Sequence, residues 1–579
     1  MTKFFNTALS FLFLGLLFNQ CENTKNKPTQ EEFLTVCNPM NLSYRFMPDG
    51  VSRREAADPT VILFKDTYYL FASKSGGYWY SDDLITWDFI ETNEIPTEEY
   101  APTAVVLNDE VYFLASNHIK NTVYKSSDPK SGKWQVAKEA LEVTMVDPAF
   151  YLDDDNNLYL YWGCSNKLPI YGVEIDKVTF DFIGETMELI HQNPTDYGWE
   201  VRGDYNTVTD DFPWLEGAWM NKYNDKYYLQ YAAPGTEDKS YCDGVYESDS
   251  PLGPFELAEH NSFASKPEGF ACGAGHGSTF KDKHGNYWHV GTITVSVKDK
   301  FERRIGFYPV FFDQDGVFYS DTQFGDFPFK IPQKKIENFN ELFPGWMLLS
   351  FDRPVEVSSE YPGRLKEMAT DEDIRTYWSA QTGEKGEWFQ MDLEKEDVIN
   401  AIQVNFAENE TTLYERNLGI FHQYLVEYSL DKKVWKTLID KTQNSSDEPH
   451  DFTQLKEPVK ARFLRITNYR IPSGTFALAD FRVFGHAQGD APQNDQVLTV
   501  SRNNKDRRQV RLNWNEDENA VGYNIRYGSN PEKLYHTYQV LKRDTLTIRS
   551  LNTKQKYYFS IDSFNENGIK QGSQVVTVD

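Results

Sequence analysis

Cysteine, basic charge and helix-forming stretches are all scarce in this chain of 579 residues. The five cysteines lie far apart and form no C-x-x-C pair, so neither a zinc site nor a disulfide framework is indicated. The 59 basic side chains face 87 acidic ones, and the net charge of −28 repels nucleic acid and anionic membrane surfaces. Stretches rich in alanine and leucine are few, which argues against a helical fold.

The N-terminus has the composition of an export signal. An apolar stretch from Phe4 to Phe18 follows Lys3, and this is the length of a signal-peptide core rather than of a membrane span. Cys21 and the polar run after it resemble a bacterial lipoprotein signal over residues 1–21, in which Cys21 becomes the lipidated first residue. We therefore expect an exported bacterial lipoprotein of the outer membrane, cell surface or periplasm, and otherwise a secreted protein. Membrane contact would be through this anchor alone.

Aromatic residues are abundant, with 35 Tyr, 40 Phe and 13 Trp, and they recur in a pattern. Each copy has a turn, two or three aromatic or apolar residues and a small residue. Five copies at intervals of roughly 40 to 70 residues are typical of the four-stranded blades of a β-propeller. The sequence therefore predicts an all-β protein with a five-bladed propeller over residues 45–335. The copies begin at Asp66, Asp109, Asn156, Asp225 and Gly285.

Three acidic residues of the predicted propeller, Asp58, Asp147 and Glu216, have similar surroundings. Each stands just before a predicted strand, with apolar neighbours, in the first, third and fourth repeats. Taken singly, Asp-Pro is a common turn and an isolated acid is usually solvated. Closure of the propeller would aim all three at the central channel. Carboxylates crowded in one pocket move one another's pKa values apart, which provides the base and the acid that glycoside hydrolysis requires.

Two further modules follow the propeller. The segment 350–486 resembles a coagulation factor 5/8 type C (discoidin) domain, which implies a jelly-roll β-sandwich. The matching motifs run from Ala369-Thr-Asp-Glu-Asp-Ile-Arg-Thr-Tyr-Trp-Ser-Ala to Phe476–Gly485. Trp378 then matches a buried core tryptophan of that family. The segment 497–579, with Val510-Arg-Leu-Asn-Trp, resembles a fibronectin type III domain and is expected to be a spacer or an interdomain prop. Carbohydrate binding by the discoidin-like module and a purely structural role are both open.

The propeller motifs around Asp58, Asp147 and Glu216, together with Cys272-Gly-Ala-Gly-His276, resemble glycoside hydrolase family 43, a family of five-bladed propellers acting on arabinose- and xylose-containing polysaccharides. The resemblance makes Asp58 the general base that activates water and Glu216 the general acid. Asp147 would orient the acid and keep its pKa high. Such enzymes invert the anomeric centre.

Further site residues follow from the same resemblance. His276 matches a histidine near the propeller axis, where a calcium or sodium ion is often held largely through water; no cofactor is required otherwise, and a simply packed histidine is the alternative. Arg303 matches an arginine that contacts sugar hydroxyls or the acid–base pair, although the adjacent Arg304 leaves the register open. Trp214 and Trp79 are candidate sugar-stacking residues, with blade core as the alternative. Where the family often has Trp-Ala-Pro-Asp, this chain has Tyr100-Ala-Pro-Thr.

These observations predict an inverting glycosidase that releases α-L-arabinofuranosyl or β-D-xylosyl units from neutral plant polysaccharide or oligosaccharide. Exo action is favoured because the long insertion Gln192–Phe212 could close one end of the channel. Two alternatives remain. One is a family member that acts on galactosides or on another linkage. The other is a non-catalytic carbohydrate-binding surface lipoprotein, against which the three retained acids argue, because a binding site gains nothing from carboxylates that are costly to desolvate.

Overall fold

Five antiparallel four-stranded sheets, each a meander in chain order, form the N-terminal part of the computed structural model, which describes residues 33–96 and 99–579. The first strand of each sheet contacts the first strand of the next, and that of the fifth contacts that of the first. The sheets are therefore the blades of a closed five-bladed propeller, and the predicted fold is confirmed. The strands are Thr60–Phe64, Thr67–Phe71, Gly77–Ser81 and Asp88–Glu91 in blade 1; Thr103–Leu107, Glu110–Leu114, Val123–Ser126 and Gln135–Lys138 in blade 2; Ala149–Leu152, Leu158–Trp162, Ile170–Ile175 and Phe182–Ile190 in blade 3; Glu216–Tyr223, Lys226–Ala233, Cys242–Ser248 and Glu256–Leu257 in blade 4; and Gly273–Lys281, Tyr287–Thr294, Arg303–Phe312 and Phe318–Ser320 in blade 5.

The aromatic repeat forms the second strand of every blade. Tyr68, Tyr69 and Phe71 in blade 1 are almost completely buried, as is the whole strand Leu158–Trp162 in blade 3. A strand with neighbours on both sides and blades above and below has no face left for water, which explains the continuous aromatic runs. Thr35–Val36, ahead of the propeller, pairs with Phe329–Lys330 after it and so joins the two ends.

The segment after the propeller forms an eight-stranded sheet. Two of its strands, Trp388–Phe406 and His450–Arg470, are long and change register within their length, as strands do when they bend between the layers of a sandwich. Trp378 lies fully buried in the core of this domain. The strand order is Met347–Leu348, Ala477–His486, Trp388–Phe406, His450–Arg470, Gln423–Ser429 and Lys436–Asp440, with Val355–Val357 on the third strand and Trp378–Ser379 on the second.

The C-terminal residues form two further sheets around one apolar core that contains Trp514 and Tyr523. This arrangement is a small two-sheet sandwich; its fibronectin type III character stays a prediction. The first sheet contains Thr499–Arg502, Val510–Asn513 and Thr545–Ile548, and the second His536–Leu541, Gly522–Gly528, Tyr557–Asn565, Gly568–Lys570 and Val576–Val578. Outside these sheets, the described residues include the strand pair Arg45–Phe46 and Arg54–Glu55 and the short 3-10 helices Pro129–Ser131, Gly198–Glu200, Phe339–Glu341 and Lys366–Ala369.

Residues 34–579 form one compact unit in which both sandwiches pack on the propeller. The guanidinium of Arg54 pairs with Glu408 at 2.7 Å and with Asp447 at 2.6 Å in the discoidin-like domain. On the C-terminal sandwich, Tyr535 stacks on Tyr319 of blade 5 with ring centroids 3.8 Å apart. The three modules are therefore held together by direct contacts and are not joined by linkers alone.

The insertion 192–212 packs against the C-terminal sandwich. Gly198 N donates to Leu551 O at 3.0 Å, and a Cβ on Gly198 would lie only 2.2 Å from Arg549 O, so the chains approach too closely for any other residue. Asp196 accepts from Thr553 Oγ1 at 2.9 Å and from Lys554 Nζ at 2.7 Å. The sandwich thus holds a propeller loop in place, in agreement with a prop role.

None of the helices in the described ranges is long and apolar enough to span a membrane. The expected signal over residues 1–21 and its Cys21 lie outside the described residues.

Candidate active site

The structure brings the three predicted acids together at one face of the propeller. Asp58 and Asp147 stand two residues before the first strands of blades 1 and 3, and Glu216 opens the first strand of blade 4. His276 Nδ1 lies 3.3 Å from Asp58 Oδ1 and 3.7 Å from Asp147 Oδ2. Carboxylate oxygens of Asp147 and Glu216 lie within 4.8 Å of each other. The innermost strands therefore aim one acid each from three blades at a common point.

Backbone geometry at the strand starts fixes these acids. Asp58 and Asp147 have φ angles of +52° and +53°, a left-handed conformation that is costly for non-glycine residues and is found at functional sites. The serines that end the first two aromatic repeats, Ser73 and Ser116, support the starts of strands. Ser73 Oγ donates to Asp58 Oδ2 at 2.5 Å and accepts from Ala101 N at 2.7 Å, while Ser116 Oγ accepts from Asp147 N at 2.8 Å.

Arg303, not Arg304, belongs to this centre. Its Nη1 donates to Asp58 Oδ1 at 3.2 Å and its Nη2 to Glu55 Oε1 at 2.9 Å, and the side chain is buried. Arg304 points to the other side of the same strand, where its Nε donates to His450 Nε2 at 3.1 Å. The register that the sequence left open is therefore settled by the alternation of side chains along a strand.

Glu216 is held by two donors from different parts of the chain. Tyr241, fully buried, donates its hydroxyl to Oε1 at 2.6 Å, and Cys164 Sγ lies 3.0 Å from Oε2. Cys164 is only partly buried and contacts the candidate acid, whereas Cys37, Cys242 and Cys272 are buried.

The charge balance of the centre shifts two pKa values. Burial, reinforced by the negative charges of Glu216 and Asp58, raises the pKa of Asp147 to about 7. For His276, burial lowers the pKa, but the carboxylates of Asp58, Asp147 and Glu216 outweigh it and leave the pKa above its ordinary value. Near neutral pH, the pair can therefore hold protons that a solvated aspartate and histidine would release.

The residues around His276 offer a restricted fit to an ion. Nδ1 faces two carboxylates, so one ring nitrogen remains for ligation, and the backbone N of His276 donates to the buried Asp243 at 2.7 Å. Among the described residues, three potential ligand atoms from Asp, Glu, His or Cys lie within 4.8 Å of one another only at Asp147, Cys164 and Glu216, a group without His276. An ion at His276 would therefore have to take most of its ligands from water, the arrangement that the sequence resemblance implies.

Of the candidate stacking residues, Trp214 is placed to meet a ligand and Trp79 is not. Trp214 is 39% exposed and lies two residues before Glu216. Trp79 is fully buried in blade 1, where its ring meets Phe89 edge-on at 5.2 Å and its Nε1 donates to Ser43. The prediction for Trp79 is wrong because its strand position faces the neighbouring elements rather than the channel.

An aromatic wall that the sequence did not reveal lies beside the candidate base. The rings of Tyr100 and Phe301 lie 5.3 Å apart, and the Arg303 guanidinium lies 5.5 Å and 5.2 Å from their centroids. Both rings are partly exposed. Tyr100 stands where the family motif often has tryptophan, so the departure from that motif falls on a residue of the candidate pocket.

Comparison with known proteins agrees with this geometry. Residues 48–318 match the model of the glycosyl hydrolases family 43, and residues 354–480 match the F5/8 type C domain. The propeller is a family 43 domain. The three acids, His276 and Arg303 all fall inside the matched range.

Two curated relatives match part of the chain. Xylosidase/arabinosidase 43A of Humicola insolens is 27% identical over 27% of this chain and 56% of its own length, and a xylosidase/arabinosidase of Bacteroides ovatus is 26% identical over 19% and 38%. The chain thus spans about half the length of these relatives or less. A solved glycoside hydrolase covers 76% of this chain and 99% of its own at 18% identity, with a TM-score of 0.45.

Proposed function

We propose that the protein is an inverting glycoside hydrolase that releases α-L-arabinofuranosyl or β-D-xylosyl units from neutral plant polysaccharide or oligosaccharide. The observation that carries the proposal is the convergence of Asp58, Asp147 and Glu216 with Arg303 and His276 at one face of a family 43 domain. The names of the two curated relatives, both called xylosidase/arabinosidase, support the pentose class. Neutral sugars also suit a chain whose net charge of −28 disfavours anionic partners.

Asp58 acts as the general base. Its carboxylate removes a proton from a water molecule, whose oxygen attacks the anomeric carbon from the face opposite the leaving group. Contacts from Ser73, Arg303 and His276 hold the carboxylate in one orientation, so that little reorganisation is needed when the proton is transferred. The buried guanidinium also fixes this carboxylate through a charge-assisted hydrogen bond.

Glu216 acts as the general acid and gives its proton to the glycosidic oxygen as the bond to the anomeric carbon breaks. The donors Tyr241 and Cys164 fix the two oxygens of this carboxyl group. Asp147, whose pKa is raised to about 7, lies within 4.8 Å of Glu216 and can keep a proton in the pair near neutral pH. In this role Asp147 positions and tunes the acid rather than touching the reacting bond.

Recognition of the sugar falls to residues at the mouth of the site. Trp214 and the Tyr100–Phe301 wall offer apolar faces on which the C–H side of a sugar ring can pack. Arg303 is available to sugar hydroxyls only through atoms that its contacts with Asp58 and Glu55 leave free, so its first task is to orient the base.

An axial calcium or sodium ion at His276 remains part of the proposal. The ring nitrogen of neutral His276 that does not face the carboxylates would hold it together with water, so the ion would compete with the second proton of the ring and would itself add positive charge beside the acids. No catalytic step above depends on it. Addition and chelation of calcium, read by thermal unfolding of the protein, would test its binding independently of activity.

Export is the last part of the proposal, with Cys21 as the lipidated residue of an outer-membrane, surface or periplasmic lipoprotein. Incorporation of labelled fatty acid by the natural sequence, and its loss in a Cys21→Ser variant, would support the anchor. Unlabelled protein released into the medium would instead support plain secretion.

Release of nitrophenol from 4-nitrophenyl α-L-arabinofuranoside and β-D-xyloside tests the activity, with the Asp58→Asn protein as the blank. Nitrophenol leaves with little acid assistance, so a Glu216 variant would be a weaker control. We expect turnover of one glycoside that Asp58→Asn lowers by about 10²–10⁴-fold. No turnover of either by folded protein would contradict the proposed specificity, and a panel of galactosides and polysaccharides would then decide between another linkage and a binding-only protein.

A further inference from the structure

A cleft of about 530 Å³ lies away from the acids, between three separate parts of the chain. It is bounded by the segment 35–43 ahead of the propeller, by the turn 84–89 of blade 1 and by residues 446–452 of the discoidin-like domain. Its volume falls in the range of roughly 300–1,000 Å³ found for small-molecule sites.

The strand register places this cleft at the opposite end of blade 1 from the base. Asp58 precedes Thr60, which pairs with Phe71, whereas Tyr68 at the start of that second strand pairs with Ser81. The turn that follows Ser81 therefore leaves the sheet at the end remote from Asp58. Because that turn supplies one wall, the cleft is separate from the candidate active site.

The walls combine aromatic surface with groups that form hydrogen bonds. Trp87, partly exposed, lines the cleft with its ring, while its indole Nε1 is buried and has no hydrogen-bond partner among the described residues. Asn41 Oδ1 accepts from His450 N at 3.2 Å, which leaves its amide group as a donor. The hydroxyls of Thr86 and Ser446 are exposed at the rim.

Charge narrows the class of ligand. The lining contains the carboxylates of Asp88, Asp447 and Glu448 but no lysine, arginine or histidine, so phosphorylated or uronic-acid ligands would be repelled. Arg54 neutralises Asp447 at 2.6 Å and Lys441 neutralises Glu448 at 2.8 Å, which leaves a polar rather than a strongly cation-attracting cleft. Carboxylate acceptors, an amide, hydroxyls and an indole together match a neutral polyhydroxylated molecule.

We propose that this cleft is a second carbohydrate-binding site, which takes a neutral oligosaccharide segment of a polysaccharide chain. The ring of Trp87 packs against the C–H face of a sugar, while Asn41, Thr86 and Ser446 pair with its hydroxyls. Such a site holds a polymer to the protein without occupying the acids. It goes beyond the proposed hydrolysis and does not require the pentose specificity proposed above.

Affinity electrophoresis tests the site, in gels that contain soluble arabinan, arabinoxylan, xylan or galactan. The Asp58→Asn protein is the parent, since it leaves the polymer intact, and the test variants in that background are Trp87→Ala and Ser446→Arg. Ser446 is exposed, so its replacement by a long side chain obstructs the cleft without disturbing a core. Trp435→Ala is the matched control, a partly buried tryptophan of the discoidin-like domain outside the cleft.

We expect the parent and the control to be retarded by at least one polymer, and both cleft variants to bind it about tenfold more weakly, as for the loss of one good contact. The same cleft substitutions in the active protein should leave nitrophenyl glycoside turnover unchanged. Retardation of the cleft variants equal to that of the control, or no retardation of the parent by any polymer, would overturn the proposal. Failure of the proposed hydrolysis is distinguishable, because it removes Asp58-dependent turnover and leaves retardation at the cleft intact.

Discussion

Two clusters of buried charged residues lie on either side of the strand Arg303–Phe312. They differ in the ratio of acidic to basic side chains. At the interface with the discoidin-like domain, Arg54 and Arg304 face Glu408 and Asp447. At the propeller axis, Arg303 and His276 face a larger number of acids. Burial alone therefore does not distinguish the two clusters; the excess of carboxylates does. The axial acids are Glu55, Asp58, Asp147 and Glu216.

The pKa values of Glu408 at the interface and Asp147 at the axis are shifted in opposite directions, although burial also raises the pKa of Asp447, the second interface acid. Although burial raises the pKa of Glu408, the charges of Arg54 and Arg304 hold it below its ordinary value, so this carboxylate stays ionised and structural. Burial, reinforced by the negative charges of Glu216 and Asp58 and only partly offset by His276, raises the pKa of Asp147 to about 7. A cluster whose charges cancel stabilises an interface, and a cluster whose charges do not cancel can exchange protons.

The largest effect expected concerns the balanced cluster. Replacement of Arg54 by methionine strands Glu408 and Asp447 without their partner and should lower the free energy of unfolding by about 3–5 kcal/mol. The control is Arg462→Met, because Arg462 pairs with Asp392 at the surface, where solvent screens the ion pair and its loss should be small. Denaturant unfolding of both variants checks the difference. Equal losses would contradict a structural role for the Arg54 cluster.

The next largest effects are expected from substitution of the neighbouring residues Arg303 and Arg304, each of which belongs to only one of the two clusters. Arg303→Met removes a charged hydrogen bond to Asp58 and should lower kcat/KM by about 10²-fold, in line with roughly 1.5–3 kcal/mol for such a bond. Arg304→Met should lower the unfolding temperature while leaving kcat/KM of the folded protein within a few-fold of the natural value. Steady-state kinetics alongside circular dichroism distinguishes them, and equal kinetic losses would mean that the clusters are not independent.

A smaller effect is expected from low pH at the interface between the propeller and the C-terminal sandwich. His260 and His536 stack with centroids 4.0 Å apart, next to Tyr535 and Asp313, and burial lowers the pKa of His260 to about 3 and that of His536 well below its usual value. Below pH 6.5 the unfolded chain takes up protons that the folded chain refuses, so stability falls from pH 6.5 toward pH 3.

At pH 5.5 this proton uptake by the unfolded chain lowers the free energy of unfolding by about 1–2 kcal/mol for each such histidine. A His260→Phe variant should lose part of the decrease in unfolding temperature between pH 7 and pH 5, whereas the control His118→Phe, at an exposed position, should keep it. Parallel decreases in all three proteins would rule out the histidine pair as the cause.

The smallest effect expected is that of Tyr241→Phe, which removes one donor to Glu216 and is worth about 1 kcal/mol. Oligosaccharides, whose leaving group needs the acid, should be cleaved about fivefold more slowly, and nitrophenyl glycosides almost unchanged. Tyr231→Phe is the control, because its hydroxyl donates to Glu200 at 2.7 Å and not to the axial acids. An equal loss on both substrates would mean that Tyr241 acts on folding rather than on the acid.

The propeller and its acids were accessible from sequence because both depend on local pattern. Each aromatic repeat is one buried strand, and Asp58 and Asp147 each precede a proline that stands just ahead of a strand. Closure of five such units then fixes where the acids meet, without knowledge of any distant contact.

What sequence did not reveal depends on contacts between distant parts of the chain. Tyr241 and Cys164 reach Glu216 from 25 and 52 residues away, and nothing in their own neighbourhoods marks them. Trp79 was misjudged because burial on both faces of a blade strand cannot be read from a Gly-Tyr-Trp-Tyr run. The second cleft also escaped notice, since it forms only where three separate segments pack.

The anomeric configuration of the first sugar released is the most direct test of the account. Proton nuclear magnetic resonance, recorded during the first minutes of hydrolysis before mutarotation, identifies the anomer formed. A direct attack by water that Asp58 activates, with Glu216 as the acid, predicts the inverted anomer, and Asp58→Asn protein should form almost none of it. A product that keeps the configuration of the substrate would contradict the assignment of Asp58 as a base and require a covalent intermediate.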